Sequence, residues 1–566
     1  MKKNKSIIIA ITGLIFVITL MISSGNSMEY FWAGVVYGSK DTVSNEIIFS
    51  KGSGFYDEEF YLSLYAPTKE IYYTLDGSDP TKESTKYTEA ILVYDASKNE
   101  NVYSMRLDTC AKYLLEEYGQ GTNLTPPDHL IDKCTVIKAV YYDKDGNRSN
   151  IAEKSYFVEF DEKNGYENFN IISITTDPKN LFDSEMGIYV LGDEFETYKQ
   201  SNNLADANWY RWKANYLKSG REWERNCYIQ VFDTERNLVL SQSVGMRTQG
   251  GVSQAFLPRS LNLYARSEYG ANQLQYDFFG TGYYPQRVTL TVGGNDYNTK
   301  IKDPLASELL KERNFATMHY EPYIVFLEGE YWGVYFLTEK YDEEYVEHYY
   351  GVDKDNVIIM KNGQLEVGIE SDVLEYQQMM DFMENADMSD DANYQTACEY
   401  MDMDSLMDYF AAEIYMARGV DWPSSNYALW KSRTTSEKKY EDGKWRWMLF
   451  DVNTSALARK LAESDMIQYV KDESKLFDNL CNNSTFRETF GARLIEIGNT
   501  VFDEETVQLK INEYVTLMEE PMKKHFRRFS DKSMDDFYDH IGRIRDFVDL
   551  RKEYNESFCE KHFGVV

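Results

Sequence analysis

The pattern of apolar and polar residues is most regular over residues 403–453, where it predicts a helix, a loop and a strand pair. Apolar residues recur at intervals of three and four, as on one face of a helix, at Leu406, Met407, Phe410, Ala411, Ile414 and Ala417. Asp404 is a candidate N-cap, and Gly419 lies just past the helix end. Pro423 then predicts a loop, because proline lacks an amide donor and disfavours helix at the residue before it. Alternating apolar residues over 427–431 and 444–450 predict a hairpin that leads to Asp451.

The first part of the chain, residues 45–160, has the alternation that is typical of half-buried strands. Runs at 59–65, 70–74 and 135–142 alternate apolar and polar residues, and turn-forming clusters at 76–80 and 143–146 follow two of them. This pattern predicts a small antiparallel β-sandwich of the Ig-like kind, interrupted by an insertion at 99–132.

The rest of the chain, residues 168–566, mixes strand and helix patterns. Alternation over 323–327 and 332–337 predicts a second hairpin, which runs through Glu339 into a helix near 343–350. Asp303 followed by Pro304 predicts a helix start with Asp303 as its N-cap. Apolar residues at helical spacing over 487–497 and 533–551 predict a helical C-terminal part, with a frayed end from residue 558. We therefore expect a multidomain protein whose second domain is α+β.

Length and charge narrow the range of partners. The chain has 566 residues, which is enough for two or more domains with cores of their own. Its formal net charge is -33 and its sequence pI is about 4.7. Because the charge is strongly negative, a nucleic acid or an anionic membrane surface is not an expected partner.

The N-terminus indicates export. Lys2, Lys3 and Lys5 precede an apolar run over residues 7–22, and small residues follow at 23–27. Residues 1–27 therefore read as a signal peptide or a membrane anchor, of which we favour the anchor, with the following chain outside the cytoplasm. Export permits disulfides, and of the six cysteines, none in C-x-x-C spacing, Cys110 and Cys134 are the predicted pair.

The candidate chemistry lies in the loops around the 427–450 hairpin. Asp421, Asn426 and Asp451 follow the order in which protein kinases place a catalytic Asp, a metal-binding Asn and a second metal-binding Asp. Carboxylate and amide oxygens suit a hard cation such as Mg²⁺. The alternative is a solvated turn and an ordinary strand end. The glycine-rich segment at 248–253 is either a phosphate-binding turn or a plain hairpin connection.

The first module resembles the chitobiase (β-hexosaminidase) C-terminal type of β-sandwich. The resemblance rests on residues 50–56, on the run Ile71-Tyr-Tyr-Thr-Leu-Asp-Gly-Ser-Asp-Pro-Thr81, and on residues 146–149. Modules of this type accompany larger domains, which implies contact with a surface protein or a glycan and no catalytic role.

The second domain resembles the CotH (spore coat protein H-like) kinase family. Seven motifs occur in the family's order, at residues 173–176, 187–192, 257–266, 294–296, 329–339, 421–426 and 447–451. The resemblance implies an atypical protein-kinase fold, ATP with Mg²⁺ or Mn²⁺, and phosphoryl transfer to Ser or Thr of a protein. By matching position it implies Asp421 as catalytic base and Asn426 and Asp451 as metal ligands. Glu339 would be a residue of the nucleotide edge, near backbone groups at 338–341 that bind the base.

Two positions depart from the family pattern. Arg259 stands where the family often has lysine, and Asn453 stands where a second Asp commonly follows the metal ligand. Arg247 and Arg259 are the candidates for contacts with the triphosphate, the alternative being long surface side chains. We expect an exported kinase, with a catalytically inactive surface scaffold as the alternative. Glycoside hydrolysis is suggested only by the name of the first module's family.

Overall fold

The computed structural model describes residues 46–68, 70–160, 165–529 and 531–565, which form two compact units. The first unit contains the chain up to Ala96 together with Cys134–Phe160, and the second contains Ser97–Lys133 and the chain from Asp161 onward. The predicted insertion thus belongs to the second unit, although strands of the first unit flank it in sequence. The predicted domain limits, 45–160 and 168–566, stay predictions, and the predicted signal or anchor at 1–27 lies outside the described residues.

The first unit consists of short strands in three sheets. The strands are β1 (Ile48–Phe49), β2 (Gly54–Tyr56), β3 (Phe60–Leu62), β4 (Leu64–Tyr65), β5 (Ile71–Thr74), β6 (Thr85–Lys86), β7 (Ile91–Val93), β8 (Thr135–Tyr141) and β9 (Ala152–Val158). The largest sheet has the order β2-β9-β8-β5-β6, and β1 pairs with β4 and β3 with β7. Apolar residues of all three sheets, among them Leu62, Leu64 and Ile137, form one core.

A β-rich N-terminal region is therefore confirmed, but it is not a clearly Ig-like, purely antiparallel sandwich. Strand β2 pairs with β9 in parallel, with Phe55 opposite Phe157. The edge strands are only two or three residues long. The larger β structure of the chain is a barrel in the second unit.

The barrel of the second unit has seven strands and was not predicted. They are β10 (Asn170–Thr175), β11 (Arg225–Phe232), β12 (Leu238–Gln249), β13 (Ser260–Tyr264), β14 (Arg287–Thr291), β15 (Tyr320–Leu327) and β16 (Glu330–Thr338). They close in the order β10-β11-β12-β13-β14-β16-β15. The seam is the parallel pair β10 and β15, in which Ile171 lies opposite Ile324. Alternate side chains such as Ile172, Ile174 and Val325 fill the interior.

A second sheet and a helical region follow the barrel. The sheet has the order β18-β17-β19-β20, with β17 (Val357–Lys361), β18 (Gln364–Val367), β19 (Ala428–Ser432) and β20 (Arg446–Met448). The helices are α1 (Pro178–Phe182), α2 (Gly192–Ser201), α3 (Lys302–Leu310), α4 (Glu343–Tyr350), α5 (Glu370–Asn385), α6 (Asp391–Tyr400), α7 (Met403–Tyr415), α8 (Met466–Glu473), α9 (Lys475–Leu480), α10 (Ser484–Thr500), α11 (Glu504–Arg528) and α12 (Met534–Phe563). A multidomain chain with a helical C-terminal part is thus confirmed.

The ends of several helices differ from the prediction. The side chain of Asp402, not Asp404, caps α7 by accepting from the amide of Ser405. Asp303 is not an N-cap, because α3 begins one residue earlier and its carboxylate is bonded elsewhere. Ser533 is the predicted cap of α12, in a capping box with Asp536. The same helix continues to Phe563, so the predicted fraying from residue 558 is wrong.

All six cysteines lie within the described residues and none forms a disulfide, so the predicted bridge between Cys110 and Cys134 is wrong. Cys110 is buried in the second unit, where its thiol donates to the carbonyl of Ala255. Cys134 belongs to the first unit. Among the described residues, the helices are too short or too polar for any of them to cross a bilayer.

Candidate active site

A cavity of about 220 Å³ opens where the barrel meets the second sheet. Strands β13, β14 and β16 contribute Ser260, Thr289, Thr291 and Thr338, and β17 and β19 contribute Lys361 and Ala428. The glycine-rich segment lines it through Gln249, Gly250, Gly251 and Ser253. The charged side chains of the lining are Asp303, Asp451, Glu339, Glu366, Lys340 and Lys361. The cavity therefore combines apolar strands with acids and lysines, as a nucleotide and a cation would require.

Asp451 follows β20, in a left-handed backbone conformation (φ 55°). Burial raises the pKa of its carboxyl group, and the negative charge of Asp421 acts in the same direction. The Arg418 guanidinium and a hydrogen bond from Asn453 oppose that rise. The result is a desolvated carboxylate at the cavity with a pKa above its usual value.

Asp303, in the first turn of α3, is the second carboxylate beside Asp451. Its Oδ1 accepts from the amide of Val452 (2.8 Å), and its Oδ2 accepts from the side-chain Nδ2 of Asn453 (2.7 Å). The same Nδ2 atom donates to Oδ1 of Asp451 (2.8 Å). Burial, followed by the charge of Asp451, raises the pKa of Asp303 to about 7. Two acidic groups thus face one amide nitrogen.

The amide of Asn453 is held in its orientation from the other side. The backbone amide of Asn295 donates to its Oδ1 (2.8 Å). Gly294, with φ 53°, makes this approach possible, because a Cβ at that position would lie 2.7 Å from the same oxygen. The motif at residues 294–296 is therefore a support for Asn453.

Asp421 and Asn426 lie on one loop and contact each other. Nδ2 of Asn426 donates to Oδ2 of Asp421, which also accepts from Nη2 of Arg418 (3.3 Å). Nη2 of Arg418 donates as well to the backbone carbonyl of Asp451 (2.6 Å), so one guanidinium joins both acidic loops. Oδ1 of Asp421 is buried and has no hydrogen-bond partner among the described residues. Asp421 and Asn426 are not part of the cavity lining itself, but Asp421 is close enough to Asp451 to raise the pKa of that carboxyl group.

Glu339 does line the cavity, at the end of β16, but its carboxylate is already bonded. Oε2 accepts from the amide (2.8 Å) and from Nδ1 (3.0 Å) of His319, and Oε1 accepts from the Tyr349 hydroxyl. The hydrogen bond to Glu339 raises the pKa of His319. Glu339 thus fixes the cavity wall at the predicted nucleotide edge.

Two lysines at the cavity were not predicted. Burial, reinforced by the nearby charge of Arg287, lowers the pKa of Lys340 to about 8. The Lys361 ammonium lies 4.4 Å from the centre of the Phe450 ring, and its charge lowers the pKa of Asp451. These lysines are cationic groups that the cavity could present to phosphates.

The structure does not bring Arg247 or Arg259 to the cavity lining. Arg247 donates from Nη2 to the hydroxyl of Tyr264 (2.6 Å). Arg259 is fully buried, and its Nη2 donates to the carbonyl of Thr109 (2.7 Å). Its guanidinium lies 3.8 Å from the centre of the Tyr216 ring, so it is enclosed within the second unit.

The residues at the cavity fit a divalent cation. Asp303 is buried and Asp451 beside it is partly exposed. Desolvation raises the pKa of each, and so does a neighbouring carboxylate, Asp451 in the case of Asp303 and Asp421 in the case of Asp451. Mg²⁺ in nucleotide sites is commonly held by one or two carboxylates together with phosphate oxygens and water. Within the described ranges, three or more His, Cys, Asp or Glu side chains do not converge as a metal-binding group. The protein would therefore supply two carboxylates, and a nucleotide would complete the coordination.

Sequence reasoning missed Asp303 as a cavity residue, although Asp303-Pro304 was recognised as a helix start. It also missed Lys340, Lys361 and Arg418. For Arg418 a signal exists, since it stands three residues before Asp421 at the end of an apolar helix pattern, where an arginine is buried only with partners.

Sequence models of two known families match parts of the chain. The sequence model of the family described as CotH kinase protein matches residues 246–555, which is more than half of the chain. A second model, described as Fn3 associated, matches residues 61–156. The chitobiase type predicted for the first module is not confirmed by that match. A search among curated proteins finds no match to the chain.

Proposed function

This chain belongs to the CotH kinase family, and we propose that it is an exported atypical protein kinase that transfers the γ-phosphoryl group of ATP to Ser or Thr hydroxyls of surface or extracellular proteins. The observation that carries the proposal is the shared hydrogen bonding of Asp303 and Asp451 by Asn453 at the cavity. Arg418 connects this pair to Asp421. The second unit therefore has two carboxylates that could bind a cation, Asp303 and Asp451, close to a third, Asp421, that could accept a proton.

Different residues of the chain would bind the cation, the phosphates and the base. Asp303 and Asp451 would hold Mg²⁺ or Mn²⁺, which when bound neutralises charge on the triphosphate. Asn426, beside Asp421, is the third candidate ligand. Lys361 and Lys340 would add positive charge toward the phosphates, and Gly250 and Gly251 leave the backbone free to approach them. Glu339 would keep the wall that receives the base in place.

Asp421 is the residue proposed to move the proton. Its Oδ1, which has no hydrogen-bond partner among the described residues, would accept the proton of an attacking hydroxyl, while Oδ2 stays bonded to Arg418 and Asn426. These two donors orient the carboxylate, so little rearrangement is needed on reaction. Phosphoryl transfer demands positioning and charge stabilisation more than covalent help from the protein.

Location and partners are part of the same proposal. The basic and apolar segment at 1–27 supports an extracytoplasmic protein held to the membrane by its N-terminus or secreted. The Fn3-associated module would contact a surface protein or a glycan. The net charge of -33 disfavours a nucleic acid as partner.

The first prediction tests the assignment of Asp421 and Asp451. The purified chain from residue 28, given ATP and Mn²⁺, should label a protein acceptor or itself. Asp421→Asn should lower the labelling rate roughly 10²- to 10⁴-fold, because it removes the proton acceptor. Asp451→Asn should abolish labelling by weakening cation binding. Asp355→Asn, which removes the same charge from an exposed position of the second unit, is the matched control and should label normally. Equal labelling by all four proteins would refute the assignment.

A second candidate function is a catalytically inactive scaffold. The observation in its favour is the neutral amide of Asn453, which lies between the two carboxylates where more negative charge would hold a second cation. Calorimetry with ATP and Mn²⁺ separates the two functions. Absence of heat, together with an unchanged melting temperature, would favour the scaffold, whereas saturable binding that Asp303→Asn weakens would favour the kinase.

A further inference from the structure

A second cavity, of about 140 Å³, adjoins the first in the same unit. Ser253 and Gly294 line both cavities, so the glycine-rich segment and the support of Asn453 form a shared wall. The lining residues of the second cavity come from 252–258, from the chain after β14, from the last turn of α11 and the chain that follows it, and from Lys112. None of its charged groups has a role in the proposed phosphoryl transfer.

Most of the wall is apolar and aromatic. Phe256, Leu257 and Pro258 form one part, and Phe526 and Phe529 form another. Phe529 is 2% exposed and Phe526 6% exposed, so these rings belong to the packed interior. An apolar cavity of about 150 Å³ accommodates a benzene ring. The space therefore suits a single ring or a branched aliphatic group of similar size.

The polar end of the cavity contains Lys300, which is 1% exposed. Its ammonium donates to the carbonyl of Val292 (2.6 Å), which uses one of three donors. Among the described residues no carboxylate forms an ion pair with it. Burial lowers its pKa to about 7, against the opposing charges of Asp296 and Asp531. A buried lysine without a counter-ion is unfavourable, so an anion in the cavity would stabilise its charged form.

His525 provides a second unused donor. It is 4% exposed, and its Nδ1 accepts from the backbone amide of Val334 (3.2 Å). Burial and the charges of Lys300 and Arg528 lower the pKa of this imidazole well below its ordinary value. A neutral imidazole that accepts at Nδ1 carries its proton on Nε2. Within the described part of the chain, this Nε2 donor has no acceptor, and the ring lines the cavity.

The remaining charges leave the cavity positive. Lys112 is paired with Asp531 (2.9 Å), so these two charges cancel. The ammonium of Lys532 lies 5.1 Å from the centre of the Tyr297 ring. Lys532, and Lys300 in its protonated form, are then the remaining cations of the lining, within a chain whose net charge is -33. A local positive field in an acidic protein selects small anions.

We propose that this cavity binds a small organic monoanion with a single-ring or similarly sized apolar body, its carboxylate meeting Lys300 and His525 and its body meeting the phenylalanines. Aromatic carboxylates are the simplest members of this class. The site is distinct from the nucleotide cavity and does not depend on the proposed kinase activity. Asn295 lines this cavity and donates to Asn453, which in turn donates to Asp303. Asn295 and Asn453 therefore connect an occupant of the cavity to the pair Asp303 and Asp451.

The pH dependence of binding gives the proposal a signature. Burial disfavours the charged form of Lys300, whereas Asp296 and Asp531 favour it. The other charged residues of the lining are Lys112 and Lys532. His525 stays neutral. The ligand anion prefers the protonated amine, whose population falls as the pH rises through about 7. Affinity should therefore weaken roughly tenfold between pH 6 and pH 8, with uptake of a proton on binding at pH 8.

The test is titration calorimetry of the full chain with benzoate, benzamide and acetate. Benzoate should bind one site with a Kd below roughly 1 mM at pH 6. Benzamide lacks the charge and acetate lacks the ring, so each should bind at least about tenfold more weakly. Lys300→Met should weaken benzoate at least about tenfold, while Lys361→Met, the same change in the nucleotide cavity, should leave it unaltered.

The comparison of the three ligands uses only the unmodified chain. It therefore tests the proposal even if a variant fails to fold. Failure of benzoate to saturate, or equal binding of benzamide, would overturn the proposal. So would loss of benzoate binding in Lys361→Met with retention in Lys300→Met, which would place the ligand in the nucleotide cavity instead.

Discussion

Arg418 is a residue that donates to both acidic loops. Its guanidinium is fully buried and donates to Glu413 Oε1 (3.1 Å), to Oδ2 of Asp421 and to the carbonyl of Asp451. Burial raises the pKa of Glu413 to about 7 even with this partner present. The position therefore combines a stability role, through Glu413, with a positioning role, through the two loops.

Arg418→Met should lower the free energy of unfolding by about 3 kcal/mol, because it leaves Glu413 buried without its counter-ion. Denaturant unfolding of the second unit measures this loss. The double variant Arg418→Met with Glu413→Gln should recover part of it, since the unpaired acid is then absent. A double variant no more stable than the single one would show that Glu413 is not the reason for the loss.

At this scale, sequence reasoning succeeds where partners are close in the chain. Asp421 and Asn426 are five positions apart and contact each other, as their spacing suggests. Asp303 meets Asn453 across 150 positions, and no local pattern reveals that contact. Arg259 was chosen for its charge, but its burial against Tyr216 is decided by packing that one strand pattern cannot show.

Helix α7 is buried along nearly its whole length, and its last turn packs against α10. A Cβ added at Gly498 of α10 would lie 2.6 Å from a ring carbon of Tyr415. Gly542, in α12, has no atom within 4 Å of the corresponding position. Arg551 of α12 donates to the carbonyls of Ile414 and Tyr415, which holds the end of α7 ahead of the Asp421 loop. A side chain at Gly498 would therefore clash with Tyr415, whereas one at Gly542 would lie in open space.

Gly498→Ala should destabilise the second unit by about 1 to 3 kcal/mol, because the added methyl group displaces the Tyr415 ring in a packed core. Gly542→Ala should stabilise it by roughly 0.4 to 1 kcal/mol, since alanine restricts the unfolded chain and nothing obstructs it. Thermal unfolding of the two variants beside the unmodified chain measures both. Equal shifts in the two variants would mean that the close approach to Tyr415 has no energetic effect.

Local patterns predicted hairpins and helices better than they predicted the barrel. The pair β15 and β16 follows from alternation around a short turn, and α12 follows from helical spacing and its Ser533 cap. The barrel closes only because β10 lies beside β15, about 150 positions later in the chain. That pairing is parallel and non-local, so turn signals and alternation carry no information about it.

At the scale of the whole molecule, the boundaries of the two structural units differ from the limits of the modules in the sequence. Ser97–Lys133 lies in sequence between β7 and β8 but belongs to the second unit. The amides of Val102 and Ser104 donate to the buried carboxylate of Glu330 (2.5 and 2.7 Å). The amide of Tyr331 donates to the carbonyl of Asp132 (2.9 Å). The kinase-like unit is therefore completed by a segment that leaves the first module and returns to it.

Replacing Ser97–Lys133 with a Gly-Ser linker of about ten residues should destabilise the second unit more than the first. Glu330 would lose two donors, each worth about 1.5 to 3 kcal/mol for a charged acceptor. Arg259 would lose the carbonyl of Thr109 as well. For a unit of this size each kcal/mol lost lowers the melting temperature by about 1 °C, so we expect a fall of at least about 3 °C. The same linker in place of the turn at 143–147 of the first unit is the control. A melting temperature unchanged by the first replacement would show that the kinase-like unit is complete without the segment.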